Sequence, residues 1–324
     1  MATAASRKRP APEGSCSEAA AAAAAAKKRA RYNFTDIKDY ERLEDLGEGT
    51  FGVVSKARHR RTGEKFAVKW IRSDSNGASD LDAVVREGGC LAKCRGHPSI
   101  VQIKDAATDK ATGDLFLVME FVGPSLRDWL TRPVSEDVAR EFMGQLLSAA
   151  VTMHAAPMIH RDIKPENILV GAGGELKICD FGLATPKPPP HPELRVGTLP
   201  YCSPEQLMGS RGYGSAVDMW ALGCVMAELL IGSPLFTATT EDDMLEQIEN
   251  LRDGIASMGL KAFDDLLDLS PAGRELLAGL LSIDPRQRLT ATEALEHRWF
   301  TEETELPAFA KAEFPGFVPM FSAA

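Results

Sequence analysis

Cysteine is sparse in this chain, with six among 324 residues. Cys16, Cys90, Cys94, Cys179, Cys202 and Cys224 are too scattered for a disulfide framework and read as reduced thiols of an intracellular protein. Cys90, Cys94 and His97 stand close together, but one short cluster without a second pair suits a packed helix edge better than a zinc site, and no structural metal is assigned. Long apolar runs are missing too. No window of about 20 apolar residues could span a membrane, and no secretory core follows the basic start. A net positive balance is missing outside one segment: the net charge is −9, yet residues 1–36 hold seven Lys/Arg against three Asp/Glu, so the remainder is more acidic than the whole. A body of that sign offers no basic face to nucleic acid, and the basic segment lacks the interleaved aromatics of a single-strand binder.

What is present divides the chain into three parts. Residues 1–36 read as a disordered leader, with Arg7-Lys8-Arg9, then eight alanines from Ala19 to Ala26, then Lys27-Lys28-Arg29 and Arg31. The two basic clusters resemble a bipartite nuclear-import signal, or are a solvated charge run on a flexible tail; nucleus and cytoplasm both stay open. The chain of 324 residues is 44% hydrophobic, enough to bury a sizeable core, and residues 40–300 have the length of one large or two-lobed domain. Residues 301–324 form a tail with scattered aromatics and prolines.

Leu43 and Leu46 lead into Gly47-Glu48-Gly49-Thr50-Phe51-Gly52-Val53-Val54. A G-x-G-x-x-G stretch alone is weak, because dinucleotide-binding folds share it. Here Val53-Val54 continues as strand, and Phe66-Ala67-Val68-Lys69-Trp70-Ile71 follows across the turn residues Thr62-Gly63. That pattern predicts a hairpin with a glycine-rich tip, where backbone N–H groups can approach phosphates and Lys69 supplies a cation. Glu87 lies on a segment whose apolar spacing (Leu81, Val84, Val85, Leu91) predicts an amphipathic helix. Gly88-Gly89 directly after it predicts a helix that is marginal and needs a docking partner, or one that ends or kinks there. Leu115 to Val122 reads as a buried strand broken by Gly123-Pro124.

The densest chemistry lies in His160-Arg161-Asp162-Ile163-Lys164-Pro165-Glu166-Asn167, followed by Asp180-Phe181-Gly182. Asp162 can accept a hydroxyl proton and Lys164 can neutralise charge on a transferred group. Asn167 and Asp180 offer oxygen ligands to a hard cation such as Mg²⁺. Two short β-runs, Ile168-Leu169-Val170 and Leu176-Lys177-Ile178, are joined by Gly171 to Gly174 and predict a hairpin that brings those ligands together.

These motifs resemble those of eukaryotic serine/threonine protein kinases across about residues 40–300. Ser203-Pro204-Glu205 is similar to the end of the family's activation segment, Asp218 to Gly223 to the start of a large-lobe helix, and Arg288 is placed to pair with Glu205. The resemblance implies an α+β, bilobal fold: a small antiparallel β lobe with one helix (about 40–120) and a larger, mainly helical lobe (about 124–300), with ATP in the cleft. It implies that Glu87 holds Lys69 on the phosphates, that Met119 is the gatekeeper, and that the backbone of Glu120 to Val122 holds the adenine. Leu46 to Val54 and Ala67 complete the nucleotide site. ATP, Mg²⁺ and a protein substrate are the ligands implied. Lys164 and Thr198 point to serine/threonine preference. The glycine loop, the Arg86-Glu87 helix and the catalytic loop are most similar to cyclin-dependent kinases, and among them to the plant F class, whose members include kinases that activate other cyclin-dependent kinases or phosphorylate the RNA polymerase II tail.

The departures from that pattern bear on regulation. The helix before Glu87 reads Leu81-Asp82-Ala83-Val84-Val85-Arg86 in place of the family's cyclin-contact sequence, which leaves a cyclin or another activating subunit open. Glu193 falls where the family carries its activating phosphothreonine, facing Arg161 and Arg86, or is a solvated charge in a shortened loop. The third arginine of that pocket is replaced by Thr185. Gly197 and Cys202 replace a valine and an arginine, leaving proline-directed preference open. Phe236 to Ser270 is too short for the insert that binds the family's small accessory subunit. Thr50 remains as an inhibitory phosphosite while its tyrosine neighbour is Phe51. Two readings stand: an active kinase, and a kinase-fold scaffold with weak catalysis.

Overall fold

The structure, a computed structural model, describes residues 32–49, 52–72, 80–186, 188–193, 196–259, 262 and 269–302. The leader's basic clusters and alanine run, Thr50 and Phe51 at the glycine tip, and the tail from 303 onward lie outside those residues.

Strands β1 (Thr35–Asp36), β2 (Tyr40–Gly49), β3 (Gly52–His59), β4 (Lys65–Ile71), β5 (Ile103–Thr108) and β6 (Leu115–Glu120) form one sheet in the order β1-β5-β6-β4-β3-β2. β4 is central because its run Phe66, Ala67, Val68 and Ile71 is buried on both faces. β2 and β3 pair up to Gly49 opposite Gly52, so the predicted glycine tip is a hairpin end. Gly52 has φ +150°, and a Cβ there would stand 1.8 Å from the Trp70 carbonyl oxygen. That strand crossing therefore admits only glycine. Ahead of Tyr40 the structure differs from the expected leader. Thr35 and Asp36 pair parallel with Ala107 and Thr108, so backbone hydrogen bonding draws the last two leader residues into the sheet and makes it mixed.

Helix α1 (Leu81–Lys93) starts at Asp80, whose carboxylate accepts from the Asp82 and Ala83 amides. It runs unbroken through Gly88-Gly89, so the predicted end or kink does not occur. The reason lies on the sheet side. A Cβ on Gly88 would stand 3.3 Å from both Ile103 Cδ1 and Leu117 Cδ2, so the missing side chain lets α1 lie close on β5 and β6; Gly89 faces open space.

The second lobe holds α2 (Leu126–Trp129), α3 (Glu136–Ala155), α4 (Pro204–Leu207), α5 (Ala216–Ile231), α6 (Glu241–Met258), α7 (Pro271–Leu280) and α8 (Ala291–Leu295), with the hairpin β7 (Ile168–Val170) and β8 (Leu176–Ile178) on the cleft side. α5 is apolar all round and is buried along nearly its whole length, with Trp220 stacked on Phe236 at 5.9 Å. Glu136, in the first turn of α3, accepts from the Ser270 amide and hydroxyl and from the Trp299 indole, tying the end of the lobe to its central helix. Arg288 reaches Glu205 through two hydrogen bonds of 2.7 and 3.0 Å with its side chain fully buried. No helix among the described residues is long and apolar enough to cross a membrane.

Candidate active site

Between the sheet and the helical lobe lies a cleft of about 570 Å³. Leu46, Gly47, Glu48, Gly49, Gly52, Val54, Ala67, Lys69, Glu87, Glu120, Val122, Lys164, Asn167 and Asp180 line it, with Met119 beside them. Val53 does not: strand alternation turns its side chain to the outer face of the sheet, beside Trp70 and Val68, so it can contribute only backbone to a nucleotide.

The Lys69 ammonium is the hub of the upper cleft. It donates to Glu87 Oε1 at 2.7 Å, to Glu87 Oε2 at 2.9 Å and to Asp180 Oδ1 at 2.7 Å. Burial would lower the pKa of Lys69, but the two carboxylates outweigh it and hold the group above the usual lysine range, so it stays charged. Burial likewise opposes ionisation of Asp180, and Lys69 reverses the effect, holding the carboxyl below its usual range. Asp180 sits at φ +58° and accepts from the Gly182 amide, so the loop turns sharply around it.

One step deeper, Asp162 meets three side chains. Thr198 donates to its Oδ1 at 2.7 Å; Asn167 Nδ2 donates to its Oδ2 at 2.9 Å; Lys164 lies 3.1 Å from Oδ2 and donates to Thr198 at 2.6 Å. Asn167 spends its amide nitrogen on Asp162 Oδ2 and on the Asp162 carbonyl, which leaves its oxygen as the group available to a cation. The loop that carries them is held by a residue whose role the sequence did not disclose. Asp218 accepts from the backbone amides of His160 at 2.9 Å and Arg161 at 2.8 Å, while the ring of His160 lies against Phe181 and reaches the Cys179 carbonyl.

Arg161, at φ +71°, turns its buried guanidinium away from Asp162. It donates to the Leu183 carbonyl at 2.7 Å, to Glu193 at 3.0 Å and to the Tyr213 hydroxyl at 3.2 Å. Burial is the largest single influence on Glu193 and pushes its pKa up, but the hydrogen bond and charge of Arg161, with smaller contributions, outweigh it and hold the carboxyl below the usual range. Glu193 is thus engaged by Arg161, while Arg86 is exposed on α1 and Thr185 is bound by backbone pairing to Ile159. Gly197, at φ +106°, lies so close to the loop that a Cβ would come within 2.7 Å of the Arg161 carbonyl, which accounts for glycine there. His191 stacks on Tyr213 two residues before Glu193, an anchor with no spacing signal in the sequence.

Cys90 is buried in the last turns of α1 and Cys94 is buried at its C-cap, and both ring nitrogens of His97 are engaged, by the Ser99 amide and the Ser148 hydroxyl. Each has a packing role that accounts for it.

A glycine-tipped sheet over a helical lobe, with a buried lysine–glutamate pair and an Asp-Lys-Asn loop across one cleft, defines a protein kinase. Residues 40–300 match the model of the protein kinase domain, and the chain belongs to that family. It is 39% identical, over 84% of its length and 92% of the other's, to a protein of Oryza sativa subsp. japonica provisionally named cyclin-dependent kinase F-2. It is also 36% identical to cyclin-dependent kinase G-1 of Oryza sativa subsp. indica, over 82% of this chain and 43% of that one, and 34% identical to serine/threonine-protein kinase ppk23 of Schizosaccharomyces pombe, over 88% and 76%. Within the family it is a protein serine/threonine kinase of the cyclin-dependent kinase-like group.

Proposed function

We propose that the chain transfers the γ-phosphate of ATP to serine or threonine hydroxyls of protein substrates. The observation that carries this is the joint assembly of Lys69, Glu87 and Asp180 above with Asp162, Lys164, Asn167 and Thr198 below, in and just behind one cleft. Leu46, Gly47 to Val54, Ala67 and the backbone of Glu120 to Val122 are the nucleotide contacts in this reading, and Lys69 draws the α/β-phosphates down. Asp162 accepts the proton of the substrate hydroxyl, aimed by the Thr198 hydroxyl that already bonds its Oδ1. Lys164 follows the charge from Asp162 to the transferred group.

The residues suit Mg²⁺: an Asp180 carboxylate and the uncommitted Asn167 oxygen are hard donors on the cleft wall. When bound, Mg²⁺ neutralises phosphate charge during transfer. The test is transfer of labelled phosphate from ATP to a serine/threonine peptide library, with another cyclin-dependent kinase and an RNA polymerase II tail peptide as the first protein substrates. Asp162→Asn should lower transfer by at least about a hundredfold. No transfer by the unaltered chain, alone or with any cyclin, would favour the scaffold reading.

We also infer that Glu193 supplies the negative charge at Arg161 without phosphorylation, and that Thr50, if phosphorylated, inhibits by placing like charge beside the ATP phosphates. Protein expressed in bacteria should be equally active before and after phosphatase treatment; loss of activity through a site in residues 180–205 would sink the Glu193 reading.

A further inference from the structure

In and beneath the cleft wall lie two carboxylates and one cation that take no part in phosphate handling. Arg127, in α2, and Glu166, in the catalytic loop, both line the cleft with Lys164 and Asn167. Glu228, from the last turn of α5, lies beneath them with its side chain only 1% exposed. Arg127 Nε donates to Glu166 at 2.8 Å, Nη1 donates to Glu228, and Nη2 donates to the Tyr201 hydroxyl at 2.7 Å. Tyr201 in turn donates to the second Glu228 oxygen at 2.7 Å, and it sits three residues after Thr198, which bonds Asp162.

Every group in this cluster is committed to another, and the geometry says what each could do otherwise. The planar guanidinium is bound on three edges, so it has little left to offer an incoming phosphate or carboxylate. The two carboxylates, without it, would carry two negative charges on a wall that a peptide must cross to bring its hydroxyl to Asp162. One of them is buried, where an unpaired charge attracts a cation most strongly. Such a pair is a receptor for lysine or arginine, and this chain fills it from within.

We propose that Arg127 is a specificity-determining residue: it occupies an acidic subsite formed by Glu166 and Glu228 and so excludes basic side chains of the substrate from the positions next to the target hydroxyl. This rests on the serine/threonine kinase reading. The unaltered kinase therefore gains nothing from lysine or arginine at the peptide position that crosses this wall, and its choice of substrate comes from other contacts.

The experiment is a positional scan of serine-centred peptides with the full chain, comparing the unaltered protein, Glu166→Gln, Arg127→Gln, Arg127→Gln/Glu166→Gln and Arg127→Gln/Glu228→Gln. Arg127→Gln should gain a preference for lysine or arginine at one position near the serine, of about tenfold in kcat/KM, through a fall in KM with little change in kcat. Adding Glu166→Gln should remove most of that gain. If Arg127→Gln alone does not fold because Glu228 is left buried and unpaired, the double variant with Glu228→Gln removes that charge and carries the test through Glu166, with a gain of about threefold. A folded, active Arg127 variant with an unchanged profile overturns the proposal. So does an unaltered protein that already selects basic residues and loses that selection on Glu166→Gln. If the unaltered protein phosphorylates no peptide, the kinase reading fails instead, which is a different result from an unchanged profile.

Discussion

Lys69 shows how one buried charge can separate stability from activity. Its side chain is 5% exposed and that of Glu87 2%, so Lys69→Met strands a carboxylate in the interior at a cost of about 3–5 kcal/mol. Lys69→Met/Glu87→Leu should recover most of that stability, read as the urea midpoint, while phosphate transfer stays lost in both. Recovery of activity in the double variant would show that the pair is structural only. At this scale the sequence was highly legible, because Lys69, Glu87, Asp162, Lys164, Asn167 and Asp180 sit in local motifs whose spacing carries their chemistry. Asp218, Tyr201, Glu228 and Arg127 were not legible as site residues. They reach the catalytic loop from α5, α2 and the turn after Thr198, and contacts over tens of residues leave no spacing to read. Val53 is included by a sequence motif, and strand alternation decides that its side chain lies on the outer face of the sheet.

Among the elements, α1 makes the clearest prediction, since two adjacent glycines in one helix have unlike surroundings. Gly89 faces open space, so Gly89→Ala should stabilise the protein by about 0.5–1 kcal/mol through helix propensity and a less flexible unfolded chain. Gly88→Val must push against Ile103 and Leu117 and should cost about 1–3 kcal/mol by overpacking. Thermal midpoints of the two variants should move in opposite directions; movement in the same direction would mean that α1 does not dock as described. Propensity alone reads both glycines as helix breakers. The sheet beneath them decides otherwise, and that information lies in β5 and β6 rather than in the helix. The strands were easier to read, because β4, β6, β7 and β8 are short apolar runs bounded by turn residues, whereas β1 is two residues long and is defined only by its partner.

For the molecule as a whole, the join between catalytic loop and helical core sets the response to acid. Burial pushes the Asp218 pKa up, but His154, His160 and the loop amides outweigh it, so the folded carboxyl titrates below its ordinary 3.8. A depressed carboxyl pKa contributes stability above the unfolded value, and that contribution is lost as pH falls through the folded one. The urea midpoint should therefore fall steeply below about pH 4, and Asp218→Asn should flatten that fall while lowering stability at pH 7. An equally steep acid response in the variant would assign the effect to other carboxylates. The bilobal architecture was legible through the kinase resemblance that the motifs carry, with the β lobe before Gly123 and the helical lobe after it. How the lobes close on a nucleotide is a matter of side chains from both: Lys69 with Asp180 and Glu120 with Lys177 tie them at the cleft.

The Arg161–Glu193 contact has a consequence in time rather than in space. A carboxylate that belongs to the chain is present from the moment of synthesis, and no enzyme adds it or takes it away. Its charge is written into the sequence, so altering it takes a substitution rather than a modification.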